Sequence, residues 1–196
     1  MKLLAHCKIS PKGVYINGEL KQNLTKTDTD WKKEIYSNSD VDYPKFHKMD
    51  PLAKMAFLAY GMIEPKIDMT EFKDDDVVLL FANSSSSHTT DEKYIVSYTE
   101  KGSPSPSLFV YTLPNILTGE LSILNKWYGE NIFFIQENFD AEFYLEQINF
   151  YFRRGAKACL CGWVESGLNG EECFLFMVEN SGGKITDEEL NNYYKQ

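Results

Sequence analysis

Residues 136–140 bring together four polar side chains that could take part in proton transfer or ligand binding. Gln136, Glu137 and Asp140 offer amide and carboxylate groups, and a carboxylate beside a substrate can act as a general acid or base. Asn138 and Asp140 have a second interpretation, since both residue types are favoured as helix N-caps. The sequence supplies the cluster with no partner residue or metal ligand, so we expect helix capping rather than catalysis.

A second candidate is the run of four serines at residues 84–87, followed by His88 and Asp91. Serine, histidine and aspartate are the residue types of a hydrolase triad. All of them, however, crowd into one turn before a predicted helix, where serine and threonine commonly hydrogen-bond to the backbone. We therefore favour a serine-rich helix cap over a nucleophile.

Two cysteines, Cys159 and Cys161, are two residues apart on a predicted strand and therefore face the same side. A zinc site would need a second ligand pair with matching spacing, and the sequence offers none. Buried small hydrophobic side chains are the better interpretation. The sequence predicts no metal site and no cofactor.

Composition narrows the class of protein. The chain has 196 residues, of which 43% are hydrophobic and 14% aromatic, so we expect a single folded domain over residues 1–196. A formal charge of −9 disfavours duplex nucleic acid and anionic membranes as partners, because both attract basic surfaces. No segment reaches the roughly 20 apolar residues that span a bilayer. The apolar run near Met1 is too short for the hydrophobic core of a signal peptide. Four cysteines do not resemble a disulfide scaffold, so we expect a cytoplasmic protein.

The elements that must position these residues alternate between strands and helices. Asn17-Gly18 predicts a hairpin, and the polar residues 19–48 are predicted to be an irregular surface excursion. Asp50-Pro51 predicts the cap and first residue of a helix. The predicted strands are residues 3–9, 77–81, 132–135, 158–164 and 172–178. The predicted helices are residues 51–63, 89–99, 115–127 and 140–153, with a short final helix after Thr186.

This order predicts an α/β fold. Right-handed crossovers between such strands and helices give a layered, mostly parallel five-stranded sheet with an antiparallel edge and helices on both faces. The antiparallel edge comes from the last two strands, which residues 167–170 join as a predicted hairpin.

Five segments between Met49 and Glu165 resemble, in the same order, the motifs of one protein family. The segments are Met49–Ala56, similar to D-P-x-x-x-x-A; Val77–Ser87, similar to G-V-V-x-G-x-S-x-G-S; Pro106–Asn115 with Gly119-Glu120, similar to P-x-x-F-x-x-x-x-P-N-x-x-x-G-x; Tyr128–Asn131, at the place of a G-P turn; and Arg154–Lys157 with Cys161–Glu165, similar to R-x-G-x-A-D-x-x-L-x-G-G-V-E. The family is the β-ketoacyl synthases (3-oxoacyl-ACP synthases), and the resemblance is to their N-terminal half. It implies a thiolase-like fold.

The catalytic residues of the family are the main departure from this resemblance. Asn138 stands where a family member carries its nucleophilic cysteine, and the sequence has no cysteine between Cys7 and Cys159. The family's active site also contains two histidines, and both come from the second half of its fold. The five segments described above resemble only the first half. The resemblance therefore implies an acyltransferase homologue without a catalytic centre, similar to the cysteine-less chain length factors of polyketide and aryl-polyene synthases.

The resemblance also implies an interface. The strand before the nucleophile pairs across a two-fold axis in the family, and here that strand is Ile132, Phe133, Phe134 and Ile135. The expected partner is a full-length β-ketoacyl synthase subunit, in a heterodimer, or a second copy of this chain. Phe109 and Tyr111 would approach the partner's acyl tunnel, although both are equally well interpreted as core residues. Acyl carrier protein would be an indirect partner, because an acidic chain is a poor docking surface for an acidic carrier.

We therefore expect a non-catalytic subunit that pairs with an active condensing enzyme in fatty-acid or polyketide-type biosynthesis, such as that of aryl polyenes. Two alternatives remain open. One is a homodimeric protein that binds an acyl ligand. The other is a small decarboxylase or dehydratase that uses Gln136, Glu137 or Asp140.

Overall fold

The computed structural model describes residues 1–24, 31–39, 43–100, 102–167 and 169–196. Their strands form one seven-stranded sheet with the order β3-β2-β1-β7-β6-β4-β5. Strand β4 is parallel to β5 and β6, and the other neighbours are antiparallel. The strands are β1 (Lys2–Ser10), β2 (Gly13–Ile16), β3 (Glu19–Asn23), β4 (Val77–Asn83), β5 (Asn131–Ile135), β6 (Ala158–Gly167) and β7 (Gly170–Glu179).

Helices cover both faces of this sheet. The α-helices are α1 (Trp31–Ser37), α2 (Pro51–Ile63), α3 (His88–Thr99), α4 (Pro106–Val110), α5 (Ile116–Asn125), α6 (Ala141–Arg153) and α7 (Asp187–Tyr194). Short 3-10 turns occupy Pro44–Lys48, Glu64–Lys66 and Met69–Glu71. None of the helices in the described ranges is long and apolar enough to cross a membrane.

The predicted α/β class, with helices on both faces, is confirmed, but the predicted sheet was wrong in two details. It has seven strands instead of five, and antiparallel pairings outnumber the parallel ones. The additional strands are β2 and β3, which form the hairpin that the sequence predicts but were not counted in the sheet; β2 is only four residues long and β3 is mostly polar. Asn17 and Gly18 join them with positive φ angles of 49° and 85°, the geometry of the Asn-Gly hairpin turn that the sequence predicts.

Each face of the sheet has its own hydrophobic core. Residues of α1, α2 and α5 pack on one face, and residues of α6 and α7 pack on the other. Every residue of β4 is buried, as expected for a central strand between two helical layers. Helix α2 is buried on most of its circumference, which explains why its sequence is apolar almost throughout.

Three helix starts match the sequence predictions. The Asp50 carboxylate accepts a hydrogen bond from the Ala53 N–H at 2.8 Å, and Pro51 follows as the first residue of α2. Asp140 caps α6 in the same way. Helix α7 begins with the predicted capping box, in which Thr186 and Glu189 each bond to the other's backbone N–H.

The prediction of an irregular excursion at residues 19–48 was wrong. The segment contains β3, α1 and the turn at Pro44–Lys48, while residues 25–30 and 40–42 lie outside the described ranges. Ile35 and Phe46 are fully buried, and the Phe46 ring stacks on Tyr36 at 4.1 Å between centroids. These apolar anchors are spaced singly among polar residues, so no periodicity revealed them. Helix α4 was also missed, because it is only five residues long.

Candidate functional site

The two edges of the sheet differ sharply in character. At one end, β3 carries Glu19, Lys21, Gln22 and Asn23, a polar composition that discourages further strand pairing. At the other end, β5 reads Asn131-Ile132-Phe133-Phe134-Ile135 and pairs only with β4 among the described strands. An apolar edge strand with unpaired backbone groups is a template for another strand. Residues 132–135, for which the sequence predicts an interface, therefore lie at the open edge of the sheet.

Strand β5 is anchored from both faces. Phe133 packs against the core under α2 and α5, whereas Ile132 and Phe134 pack against the core under α6. The rings of Phe134 and Phe143 meet edge to face at 5.0 Å. Ile135, at the end of the strand, leaves 56% of its surface exposed. The strand is thus packed on both faces, while its outer edge carries no further described strand and its last side chain stays accessible.

The polar segment after β5 lies at the surface. Glu137, Asn138 and Asp140 are exposed, and Gln136 is half-buried. Asn138, the residue aligned with the missing nucleophile, lies two residues before the helix cap, and Asp140 is the residue that caps α6, accepting from the Phe143 N–H at 3.2 Å. These exposed carboxylates are solvated. That is not the desolvated setting in which enzymes tune an acid or base.

The serine run forms a hydrogen-bonded turn at the carboxyl end of β4. The Ser84 hydroxyl donates to the Glu165 carboxylate at 2.6 Å and accepts from the Asn169 side-chain amide at 2.8 Å. Ser87 stands at the start of α3, but its hydroxyl donates to the Thr112 carbonyl oxygen at 2.7 Å and caps no helix N–H. In the described part of the chain no hydrogen bond joins the His88 imidazole to a serine hydroxyl. Its Nε2 lies 3.4 Å from Glu92, and the His88 N–H donates to the Ser85 carbonyl oxygen at 3.1 Å. The turn links structural elements without forming a triad.

The two predicted tunnel residues have different surroundings. Tyr111 is 9% exposed, and its hydroxyl donates to Glu120 at 3.1 Å, while burial raises the pKa of the phenol well above its usual range. Phe109 is 60% exposed on α4. The structure thus brings Tyr111 into the core and leaves Phe109 on the surface.

Phe109 belongs to an aromatic surface that the sequence analysis missed. Its ring lies 5.6 Å from Tyr94 on α3, and Tyr94 lies 5.6 Å from Tyr98. Val110 and Leu113, which follow Phe109 closely in the chain, are also exposed, with 48% and 57% of their areas accessible. The spacing of Tyr94 and Tyr98, one helical turn apart, was the available signal. We call Tyr94, Tyr98 and Phe109 the α3–α4 aromatic surface.

Comparisons with solved structures identify the fold. A chain in the structure of a ketosynthase, ApeO, in complex with its chain length factor, ApeC, from Xenorhabdus doucetiae superposes with a TM-score of 0.63. The two are 12% identical, and the match covers 93% of this chain and 81% of that one. The fold is that of the ketosynthases. It is thiolase-like, as the sequence motifs implied.

Two further structures share this ketosynthase fold. One is AntDE:AntF, a type II polyketide synthase acyl carrier protein in complex with its ketosynthase bound to the hexaketide, with a TM-score of 0.60, 15% identity and 91% of this chain covered. The other is the ishigamide ketosynthase/chain length factor, with a TM-score of 0.62, 14% identity and 93% covered. The chain spans 62% of the matched chain in each of these two structures. No known protein family and no curated protein matches the sequence itself.

Proposed function

We propose that this chain is a non-catalytic, β-ketoacyl-synthase-like subunit that pairs with an active condensing enzyme in polyketide or fatty-acid-type biosynthesis. The observation that carries the proposal is the apolar open edge at β5, on a fold shared with ketosynthases and chain length factors. Pairing through β5 would join two sheets into one and satisfy the backbone groups that the edge leaves open.

The chemistry of the cysteines supports a non-catalytic role. Condensation by this family needs a reactive thiolate, and a thiolate forms readily only where the pKa is lowered. All four cysteines are buried, and burial raises the pKa of Cys159 to about 12 and holds that of Cys7 and Cys161 well above the usual range. These thiols stay protonated at neutral pH and are unavailable as nucleophiles.

The partner would then supply the catalytic site and the main carrier-protein contact. We place a full-length β-ketoacyl synthase in that role, and acyl carrier protein contacts this chain only indirectly because both are acidic. Phe109, on the exposed α3–α4 aromatic surface, is the residue we assign to the partner's acyl tunnel. We place the pair in the cytoplasm, since four cysteines in 196 residues do not resemble a disulfide scaffold.

The proposal is tested by co-purifying the chain with a ketosynthase encoded beside it and assaying condensation with and without the chain. Ile135→Lys places a charge on the apolar edge and should lower complex yield at least about tenfold, because a buried charge would lack a partner. Leu20→Lys is the matched control, since Leu20 is 51% exposed on the opposite edge of the sheet. Equal complex formation by both variants would count against pairing through β5.

A second candidate function has one specific observation in its favour. A cleft of about 710 Å³, lined by residues that include Phe57, Tyr60, Met62 and Leu124, lies between α2 and the end of α5. That volume is in the range of small-molecule sites, so a homodimer binding an acyl ligand there is the alternative. Displacement of a fluorescent fatty acid from wild type, but not from Leu124→Trp, would support this alternative over the paired subunit.

A further inference from the structure

The loop between β5 and α6, residues 136–140, is fixed at both ends. The Gln136 N–H donates to the Asn83 carbonyl oxygen at 2.9 Å, and Asp140 accepts from the Phe143 N–H at 3.2 Å. Between these points Glu137 and Asn138 are exposed, and Phe139 turns inward as a half-buried ring. The position of this loop, which leaves the open edge of the sheet, therefore depends on what holds Phe139.

Three aromatic rings surround Phe139. Tyr194, the last residue of α7, stacks on it at 4.4 Å between centroids with an interplanar angle of 25°. Tyr144 of α6 lies at 5.5 Å, and Phe174 of β7 meets the ring edge-on at 5.4 Å. Tyr144 and Phe174 are core residues with 1% and 0% exposure. Tyr194 is thus the one neighbour that belongs to the C-terminal helix.

Tyr194 is itself held at both its ring and its hydroxyl. The hydroxyl donates to Glu172 Oε1 at 2.5 Å, and the same oxygen accepts from Trp163 Nε1 at 3.2 Å. Lys8 forms an ion pair with the other oxygen of Glu172 and places its Nζ 3.9 Å from the centre of the Tyr194 ring. The tyrosine is therefore fixed to β1, β6 and β7 at once.

We propose that Tyr194 is a positioning residue for the partner-facing edge, holding Phe139 and with it the loop that leaves β5. This inference rests on the proposed pairing through β5. A loop that is already ordered loses less conformational freedom when a partner binds beside it. Removal of the Tyr194 ring should weaken pairing without deleting any contact made to the partner.

Hydrogen exchange on the isolated chain tests the first half of this inference. In Tyr194→Ala we expect the amides of Gln136 and Phe143, which close the two ends of the loop, to exchange about tenfold faster or more. Tyr194→Phe keeps the stacked ring and should stay within about threefold of wild type, so it distinguishes the ring from the hydroxyl bond. The matched control is Tyr193→Ala, since Tyr193 lies on the same helix but stacks on His6 at 4.1 Å.

Binding to the ketosynthase partner tests the second half. Tyr194→Ala should raise the dissociation constant about 5- to 50-fold, mainly through faster dissociation, with Tyr193→Ala within about twofold of wild type. Equal acceleration of exchange in both alanine variants would overturn the positioning role, because α7 would then act only as a general cover. A loosened loop with unchanged affinity would overturn this inference while the proposed function stood. A wild-type chain that binds no ketosynthase would overturn the proposed pairing itself.

Discussion

At the scale of single residues, the most informative groups are those whose charge or exposure conflicts with their surroundings. Asp50 is half-buried at the start of α2, and desolvation of its carboxyl raises the pKa from 3.8 to about 6, against hydrogen bonds from the backbone and from Thr90. Because the folded state binds the proton more tightly than the unfolded chain does, the free energy of unfolding falls as the pH rises from about 3.8 to 6. At neutral pH the charged Asp50 carboxylate therefore caps α2 but lowers the free energy of unfolding.

Asp50→Asn should remove this cost and keep the cap, since the amide oxygen can still accept from the Ala53 N–H. We expect the free energy of unfolding at pH 7.5 to rise by about 1–2 kcal/mol, and the gain to vanish near pH 4. Asp50→Ala loses the acceptor and should be about 1 kcal/mol less stable than Asp50→Asn. Urea unfolding at pH 7.5 and pH 4 measures the free energies of unfolding of both variants. An Asp50→Asn variant less stable than wild type at pH 7.5 would refute the argument.

His6 has the opposite pH dependence. It is 3% exposed, its Nδ1 has no hydrogen-bond partner, and burial lowers its pKa from 6.5 to about 4. Protonation therefore favours the unfolded chain, and stability present above pH 6.5 is lost as the pH falls toward 4. His6→Phe keeps an aromatic ring against Tyr193 and should abolish up to about 3 kcal/mol of that loss. Parallel urea titrations of the two proteins test this, and identical pH profiles would contradict it.

Phe109 and Tyr111 should respond to substitution in opposite ways. Tyr111→Ala removes a core ring and its hydrogen bond to Glu120, which keeps its ion pair with Lys45, so we expect a loss of about 3 kcal/mol in unfolding free energy. Phe109→Ala removes an exposed ring and should change stability by no more than about 0.5 kcal/mol, while altering the chain length of the product made with the partner. Thermal unfolding and product analysis separate the two effects. An unchanged product spectrum in Phe109→Ala would remove this residue from the tunnel.

At the scale of elements, two glycines show how tightly strands and helices are packed. A Cβ on Gly162, in β6, would lie 2.4 Å from the Phe81 ring of β4. A Cβ on Gly119, in α5, would meet no atom within 4 Å. The first glycine is required by a close approach of two strands, whereas the second only adds freedom to a helix.

Gly162→Ala should therefore lower the free energy of unfolding by about 1–3 kcal/mol through overpacking. Gly119→Ala should raise it by about 0.5–1 kcal/mol, since alanine is the better helix former. Both variants replace a glycine by an alanine, so any difference between their free energies of unfolding comes from the position of the residue. Urea denaturation measures both. A stabilised Gly162→Ala would mean that β4 and β6 are less rigid than their packing indicates.

The sequence predicted the elements that have strong local signals. Helices α2 and α6 and strand β4 were identified from periodicity, from the caps at Asp50 and Asp140 and from a continuous apolar run. Phe46 escaped because it is an isolated anchor whose burial is decided by residues distant in the chain, and Trp31 and Ile35, one helical turn apart, lie on a helix of only seven residues. The hairpin of β2 and β3 was predicted from Asn17-Gly18, but β3 escaped as a strand because its five mostly polar residues acquire strand structure only from their neighbours.

At the scale of the whole molecule, the motifs between Met49 and Glu165 predicted the thiolase-like fold, which the structural comparisons confirm. The candidate site was only partly accessible from sequence. The position of residues 132–135 at an open edge depends on strand order, and the separation of Phe109 from Tyr111 depends on how α4 packs. Strand order and helix packing are set by long-range contacts, and the sequence motifs do not encode them directly.

The unlike edges of the sheet also set a limit on stoichiometry. An assembly that forms by adding strands can grow without end when both edges accept a neighbour, as in fibrils. Among the described strands β5 is the receptive edge, while β3 presents mainly charged and amide side chains. In the proposed pair β5 would be covered, and β3, the other edge of the described sheet, disfavours strand addition, so growth by strand addition would stop at two chains.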